Sequence, residues 1–210
     1  MAQGPLRHRF RASQQSDFAA YLRADAANRG WHYAQATPAE DRQFGIDDWL
    51  DLPHEGIVSV DWKTDHRAAV TGNLAVEIIA NATSGRLGWV FTSQADYIVY
   101  LLPVPSRLLW FKAQALRQAV LEWQAIYPTR GAQNDSRNAR FLYTTFSLTV
   151  PLFEMEMLAD ATKPQSLTLP PLDCRCASCL SARAALSPLT QKPAAGRSVP
   201  LLAGSDSDLV

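Results

Sequence analysis

ATPAEDRQFGIDDWLDLPHEGIVSVDWKTDHRAAVTGNLAVE, residues Ala36–Glu77, is the stretch whose reading decides the fold. Val58, Val60 and Trp62 alternate with Ser59, Asp61 and Lys63, a period of two that predicts a β-strand over 56–64. That geometry sets Asp61 and Lys63 side by side on one face and turns Trp62 toward a core on the other. Pro53 and Gly56 mark a turn before this strand, and the half-apolar run IDDWLDL precedes the turn. Thr37 as cap, Pro38 at a first helical position and Glu40 and Asp41 in the first turn predict a short helix upstream. Downstream, Asp65–Asn73 reads as a connection with a turn at Gly72 and Asn73. Leu74–Ala80 reads as the next strand, with Glu77 facing away from Leu74, Val76 and Ile78.

Working outward, residues 1–12 form a basic arm, and Ser13–Asn28 is expected to be a helix closed by Gly30. WHYAQAT reads as a short strand or extended link. Trp89–Phe91 is expected as a short strand, and the nearly continuous apolar run Asp96–Leu102 as a central one. Leu108–Phe111 follows as a further strand. Lys112–Ile126 reads as a helix whose Leu116, Ala119, Val120, Trp123 and Ile126 share a face. Residues 129–140 read as a polar loop, 141–150 as a strand and 151–158 as a closing helix. From Ala161 periodicity gives way to Pro, Ser, Ala and Leu, so 161–210 is expected as an irregular tail. The expected organisation is an arm (1–12), an α/β domain (13–160) with a mixed central β-sheet flanked by helices, and the tail.

A chain of 210 residues that is 47% hydrophobic can bury a full core. Twenty basic and twenty acidic residues cancel, which argues against a protein that holds nucleic acid by bulk charge. No apolar run reaches the roughly 20 residues of a membrane span. MAQGPLRHRFRAS contains no secretory apolar core. The three cysteines lie together at Cys174, Cys176 and Cys179, so no disulfide framework is expected and a cytoplasmic, reducing setting is the default. These thiols offer three soft ligands, but no histidine follows to complete a zinc site within the chain.

The acidic stretch carries the chemistry. It holds eight Asp and Glu residues in its first thirty positions, and Asp47 stands fourteen residues before Asp61. Phosphodiester hydrolysis needs an activated water and neutralised phosphoryl oxygens, which Mg²⁺ (or Mn²⁺) supplies. Mg²⁺ prefers oxygen and takes few carboxylates from the protein. Asp47 and Asp61 are the candidates, with Glu40 or Asp41 as a further ligand or base. Lys63 is placed to orient water and stabilise developing negative charge.

GIDDWL followed by VSVDWK resembles the signature of the PD-(D/E)XK nuclease superfamily, with Ile46 where that family often has Pro. The text from Thr37 to Leu102 resembles a phage or mobile-element branch of it. The resemblance implies a restriction-endonuclease-like α/β core, Mg²⁺-dependent DNA cleavage and, for a phage product, the host cytoplasm. By position it assigns Asp47 as first acid, Asp61 as second and Lys63 as the lysine, with Glu77 beside them. It also matches Asp41 or Glu40 to an upstream metal ligand. A second register takes Asp61 and Glu77 as the two acids, but sets Ile79 at the lysine position. Arg67, Arg86, Gln94, Arg130 and Arg137 are the candidate DNA contacts.

Plainer readings stand beside these. Asp48 and Asp51 read as turn or surface acids, Asp65 as a strand-end cap, Asp96 as a strand-start residue, and His54 and His66 as loop histidines. Arg130, Arg137 and Arg140 fit a solvated loop equally well. The alternative function is a catalytically inactive nuclease-fold binding or virion-associated module, as a homodimer or with the tail docking a protein partner.

Overall fold

The computed structural model describes residues 22–103, 106–135 and 142–166. Helix α1 (22–28) precedes β1 (His32–Gln35), α2 (Pro38–Phe44), β2 (Asp48–Leu52) and β3 (Gly56–Thr64). Then come α3 (Ala68–Thr71), β4 (Asn73–Asn81), β5 (Arg86–Leu87), α4 (Trp89–Thr92), β6 (Tyr97–Leu102) and β7 (Arg107–Lys112). Helix α5 (Ala113–Trp123), β8 (Thr129–Asp135), β9 (Leu142–Pro151) and α6 (Leu152–Leu158) complete the order. The chain is α/β, but the single mixed sheet expected from sequence is two sheets. One is five-stranded, β1-β2-β3-β6-β7, and the other four-stranded, β5-β4-β9-β8. Strand β4 leaves the first sheet because its ladder runs to β9, some seventy positions on, from Asn73↔Pro151 to Ile79↔Phe146. In the first sheet only β3 and β6 run parallel; the other pairs are antiparallel. The crossover between them carries α3, β4, β5 and α4.

The five-stranded sheet is buried on both faces. Ile98, Tyr100, Leu102, Leu109 and Phe111 pack with Leu74, Val76, Leu148 and Val150 of the second sheet and with Leu116, Val120 and Met155 of the helices. On the opposite face, Leu50, Val58, Val60, Val99, Leu101 and Trp110 meet Leu22 and Ala26 of α1. β6 lies inside the sheet, and all six of its residues are buried, as its apolar run predicts.

Several local expectations are corrected. Trp89–Thr92 is a helical turn rather than a strand. Its position is fixed from outside, by Arg117 Nε donating to the Val90 carbonyl at 3.0 Å and Arg117 Nη2 donating to the Ser93 carbonyl. Residues 129–135, read as loop, form β8 because β9 offers a full antiparallel ladder from Thr129↔Leu148 to Asp135↔Leu142. The connection after β3 contains α3. The first residues of the expected tail are held to the domain. Leu108 N donates to the Gln165 carbonyl (3.0 Å), Asp160 N to the Trp110 carbonyl (2.7 Å), and Lys163 pairs with Glu55. The arm 1–12, the first residues of the helix expected over Ser13–Asn28, Arg137, Arg140 and the three cysteines lie outside the described residues.

Asp48 is the largest correction. It is 0% exposed on the face toward α1. Arg23 Nε donates to both its oxygens, at 2.9 and 3.2 Å, and Trp62 Nε1 donates to Oδ2 at 2.6 Å. Burial raises its pKa even so, with Arg23 and Trp62 pulling it down. Breaking a buried pair strands a charge, so Arg23→Ala should cost about 3 kcal/mol at pH 8. The loss should be smaller at pH 4, where the stranded carboxyl takes up a proton; urea unfolding at the two pH values measures both.

Candidate functional site

The hairpin register builds the site. β2 and β3 pair as Asp48↔Val60, Trp49↔Ser59 and onward to Leu52↔Gly56. Asp47 stands just before β2, where the ladder turns irregular: its N–H reaches the carbonyl of Val60, the residue already paired with Asp48, and its carboxyl lies close enough to Asp61 to feel that charge. Asp47 N donates to the Val60 carbonyl at 2.9 Å, and Trp62 N donates to Asp47 Oδ2 at 2.7 Å. The first bond fixes the backbone and the second aims the carboxyl along β3.

Upstream, the capping box is formed as its residue types predict: Glu40 N donates to Thr37 Oγ1 at 3.2 Å and Thr37 N to Glu40 Oε2 at 2.6 Å. Gly45 then takes φ +64°, with its N–H donating to the Asp41 carbonyl, and releases the chain toward Asp47. Gln94 N donates to the Phe44 carbonyl and Ser93 Oγ to the Gly45 carbonyl, tying this corner to the end of α4.

Asp61 is 2% exposed and its Oδ1 accepts from Lys63 Nζ. Its Oδ2 is buried with no hydrogen-bond partner among the described residues. Burial, and then the charge of Asp61, push Asp47 up to about 6 from the ordinary 3.8, against the opposing pull of Lys63 and the Trp62 N–H. The two carboxyl groups lie within hydrogen-bonding reach of each other.

Glu77 arrives from the second sheet. The β4–β9 register shifts between Glu77 and Ile79, a bulge beside the residue that points into the site. Burial raises its pKa, while the Trp89 N–H, Lys63 and Arg86 lower it. The Trp89 N–H reaches Glu77 Oε1 at a long 3.4 Å. Gly88 permits this approach, since a Cβ there would sit 2.2 Å from the Glu77 carbonyl oxygen. The Trp89 ring stands 5.1 Å from Lys63 Nζ and packs edge-on to Tyr100 at 5.8 Å. Tyr100 is fully buried and donates to the Ala75 carbonyl at 2.9 Å. Its own pKa is pushed well up by burial and then by Asp65, Asp61 and Glu77, so negative potential surrounds the floor of the site.

The structure thus brings together Asp47, Asp61, Lys63 and Glu77 of the sequence candidates. Asp41 is exposed on α2, and no described contact joins it to the pair. Arg86 is exposed but near enough to act on Glu77. Arg67, Gln94 and Arg130 are exposed, on the N-cap of α3, after α4 and on β8. Asp65 caps α3, its Oδ1 accepting from Arg67 N and Ala68 N. Asp96 holds Ser59 through its N–H and hydroxyl, as a strand-start residue does. Trp89 and Arg117 were missed, because their contribution depends on the crossing of two sheets that sequence periodicity does not show.

Among the described residues no group of three or more His, Cys, Asp and Glu side chains is arranged to hold a metal. Mg²⁺ does not need three: one or two carboxylates, completed by water and phosphate oxygens, suffice. Two neighbouring carboxyl groups, one with a buried unpartnered oxygen, fit that requirement. Among the described residues no helix is long and apolar enough to cross a membrane. Searches against protein-family models, curated proteins and solved structures found no match.

Proposed function

We propose that this chain is a Mg²⁺-dependent nuclease that hydrolyses phosphodiester bonds of DNA. The observation that carries the reading is the closeness of the Asp47 and Asp61 carboxyls at the open end of the β2–β3 hairpin, with Lys63 paired to Asp61. Two carboxylates held close together are destabilising unless a cation joins them, so structure alone gives little reason to keep the pair. The fold is compatible with the restriction-endonuclease-like core that the sequence resemblance implies. The strand bearing Asp61 and Lys63 has an antiparallel neighbour on one side and a parallel neighbour on the other.

Asp47 and Asp61 would hold Mg²⁺, which supplies charge neutralisation at the phosphoryl group and activation of water. Lys63 carries three N–H donors at the edge of the pair and offers them to the negative charge that develops on the phosphoryl oxygens. Its side chain is 24% exposed, so it stands between the buried Asp61 and solvent. Glu77, near enough to Lys63 to feel its charge, favours keeping the ammonium inside the site. Arg86 and Arg67 provide exposed positive charge for the substrate backbone.

The test is direct. Purified protein should cleave DNA with Mg²⁺ or Mn²⁺ and fall silent with EDTA. Lys63→Ala should lose about a hundredfold or more in rate with folding intact. Full activity in that variant removes the assignment. A second reading, a nuclease-like fold that binds without cleaving, is favoured by one observation: Asp61 is already paired with Lys63 and nearly sealed. Tight DNA or protein binding without cleavage in any divalent metal would select it.

A further inference from the structure

We infer that Trp89 is a positioning residue for Lys63: its indole ring forms a second seat for the ammonium, beside the Asp61 carboxylate. This rests on the nuclease reading above for its catalytic meaning. The seat itself rests on geometry, with Lys63 Nζ 5.1 Å from the ring centroid.

The physical need is specific. Lys63 Nζ occupies Asp61 Oδ1, one of the oxygens a cation would require. A divalent ion held by Asp47 and Asp61 would repel the ammonium, which would need a favourable position close by to meet the substrate. A ring face offers that position without competing for the ion, because it attracts a cation through its quadrupole and donates no ligand. Glu77, close to both Trp89 N and Lys63, bounds the seat on the other side.

The ring is itself held rigidly. Tyr100 meets it edge-on. Gly88 brings α4 against the Glu77 backbone, where any side chain would collide. Arg117 grips the carbonyls of Val90 and Ser93 from α5. Val90 of this short helix is buried in the core and Phe91 packs against it, so the same anchoring that completes the core fixes where the Trp89 ring stands.

The chain has four lysines, so selective lysine labelling resolves Lys63 by NMR. In the wild type its ε-methylene protons should be shifted upfield by the indole ring current. Trp89→Leu should return them to ordinary values, while Trp89→Phe, which keeps a ring face, retains part of the shift. In DNA cleavage Trp89→Leu should lower kcat roughly fivefold at unchanged KM, and Trp89→Phe should recover most of it. Circular dichroism of the Phe variant guards against a trivial loss of fold. An unshifted Lys63 resonance in the wild type, or equal kcat for the Leu variant and wild type, overturns the seat. A wild-type chain that cleaves nothing sinks the nuclease reading and the catalytic use of the seat, while the resonance still reports whether the ring holds the ammonium.

Discussion

Asp47→Asn is expected to lose DNA cleavage by about a thousandfold or more and, above pH 6, to melt at a higher temperature than the wild type. The two effects share one cause. The folded protein holds a proton on Asp47 up to about pH 6, whereas the unfolded chain releases it near 3.8. The native state therefore binds more protons in that window, and stability falls as pH rises from about 4 through 6. Asparagine keeps an oxygen for the Trp62 N–H and removes the charge facing Asp61. The gap between 3.8 and about 6 bounds the gain at about 3 kcal/mol. Thermal melts in metal-free buffer at pH 8 should show the gain, and melts at pH 4 should not. A variant that is less stable at pH 8 would mean the two carboxylates do not repel, and the case for a cation between them would go.

Gly88→Ala is expected to destabilise the protein by about 3 kcal/mol or more. The added Cβ would lie 2.2 Å from the Glu77 carbonyl oxygen and 2.8 Å from the Ile78 carbonyl carbon. Both obstacles are backbone in the interior of β4, so no side chain can swing aside. Gly88 N also donates to the Ile78 carbonyl at 2.9 Å, and that bond would stretch with the displacement. Gly85→Ala is the natural comparison. It has φ +68° but open space around the added carbon, so its cost should stay near 1 kcal/mol. Urea midpoints for the pair separate close approach from backbone preference; similar losses would refute the crossing argument.

Much of the first sheet was legible because its signals are local. The alternation of Val58, Val60 and Trp62 with Ser59, Asp61 and Lys63 is the face pattern observed, and the cap at Thr37 is formed as its residue types predict. The grouping of Asp47, Asp61 and Lys63 was legible for the same reason, since one hairpin carries all three. What was missed depends on distant partners. β8 has the composition of a loop and becomes a strand only because β9 lies beside it. Asp48 looks like a turn acid until Arg23 and Trp62 are folded onto it. The split into two sheets rests on the long-range choice of β4 for β9, which no period in β4 declares.

The turn at Pro53, His54 and Glu55 carries a consequence for how this gene can change. It lies roughly 16 Å along β2 from the acids, yet its length sets the β2–β3 register and with it which residue comes to lie beside Asp61. His54 takes φ +74° and Gly56 φ +76° there, a conformation few sequences adopt. A single codon gained or lost in this turn would exchange Asp47 for a neighbour across the hairpin while leaving every residue of the site intact. Point changes can drift across most of the surface, but the reading frame of this turn acts as a ruler, and insertions elsewhere in the chain should be tolerated long before one here.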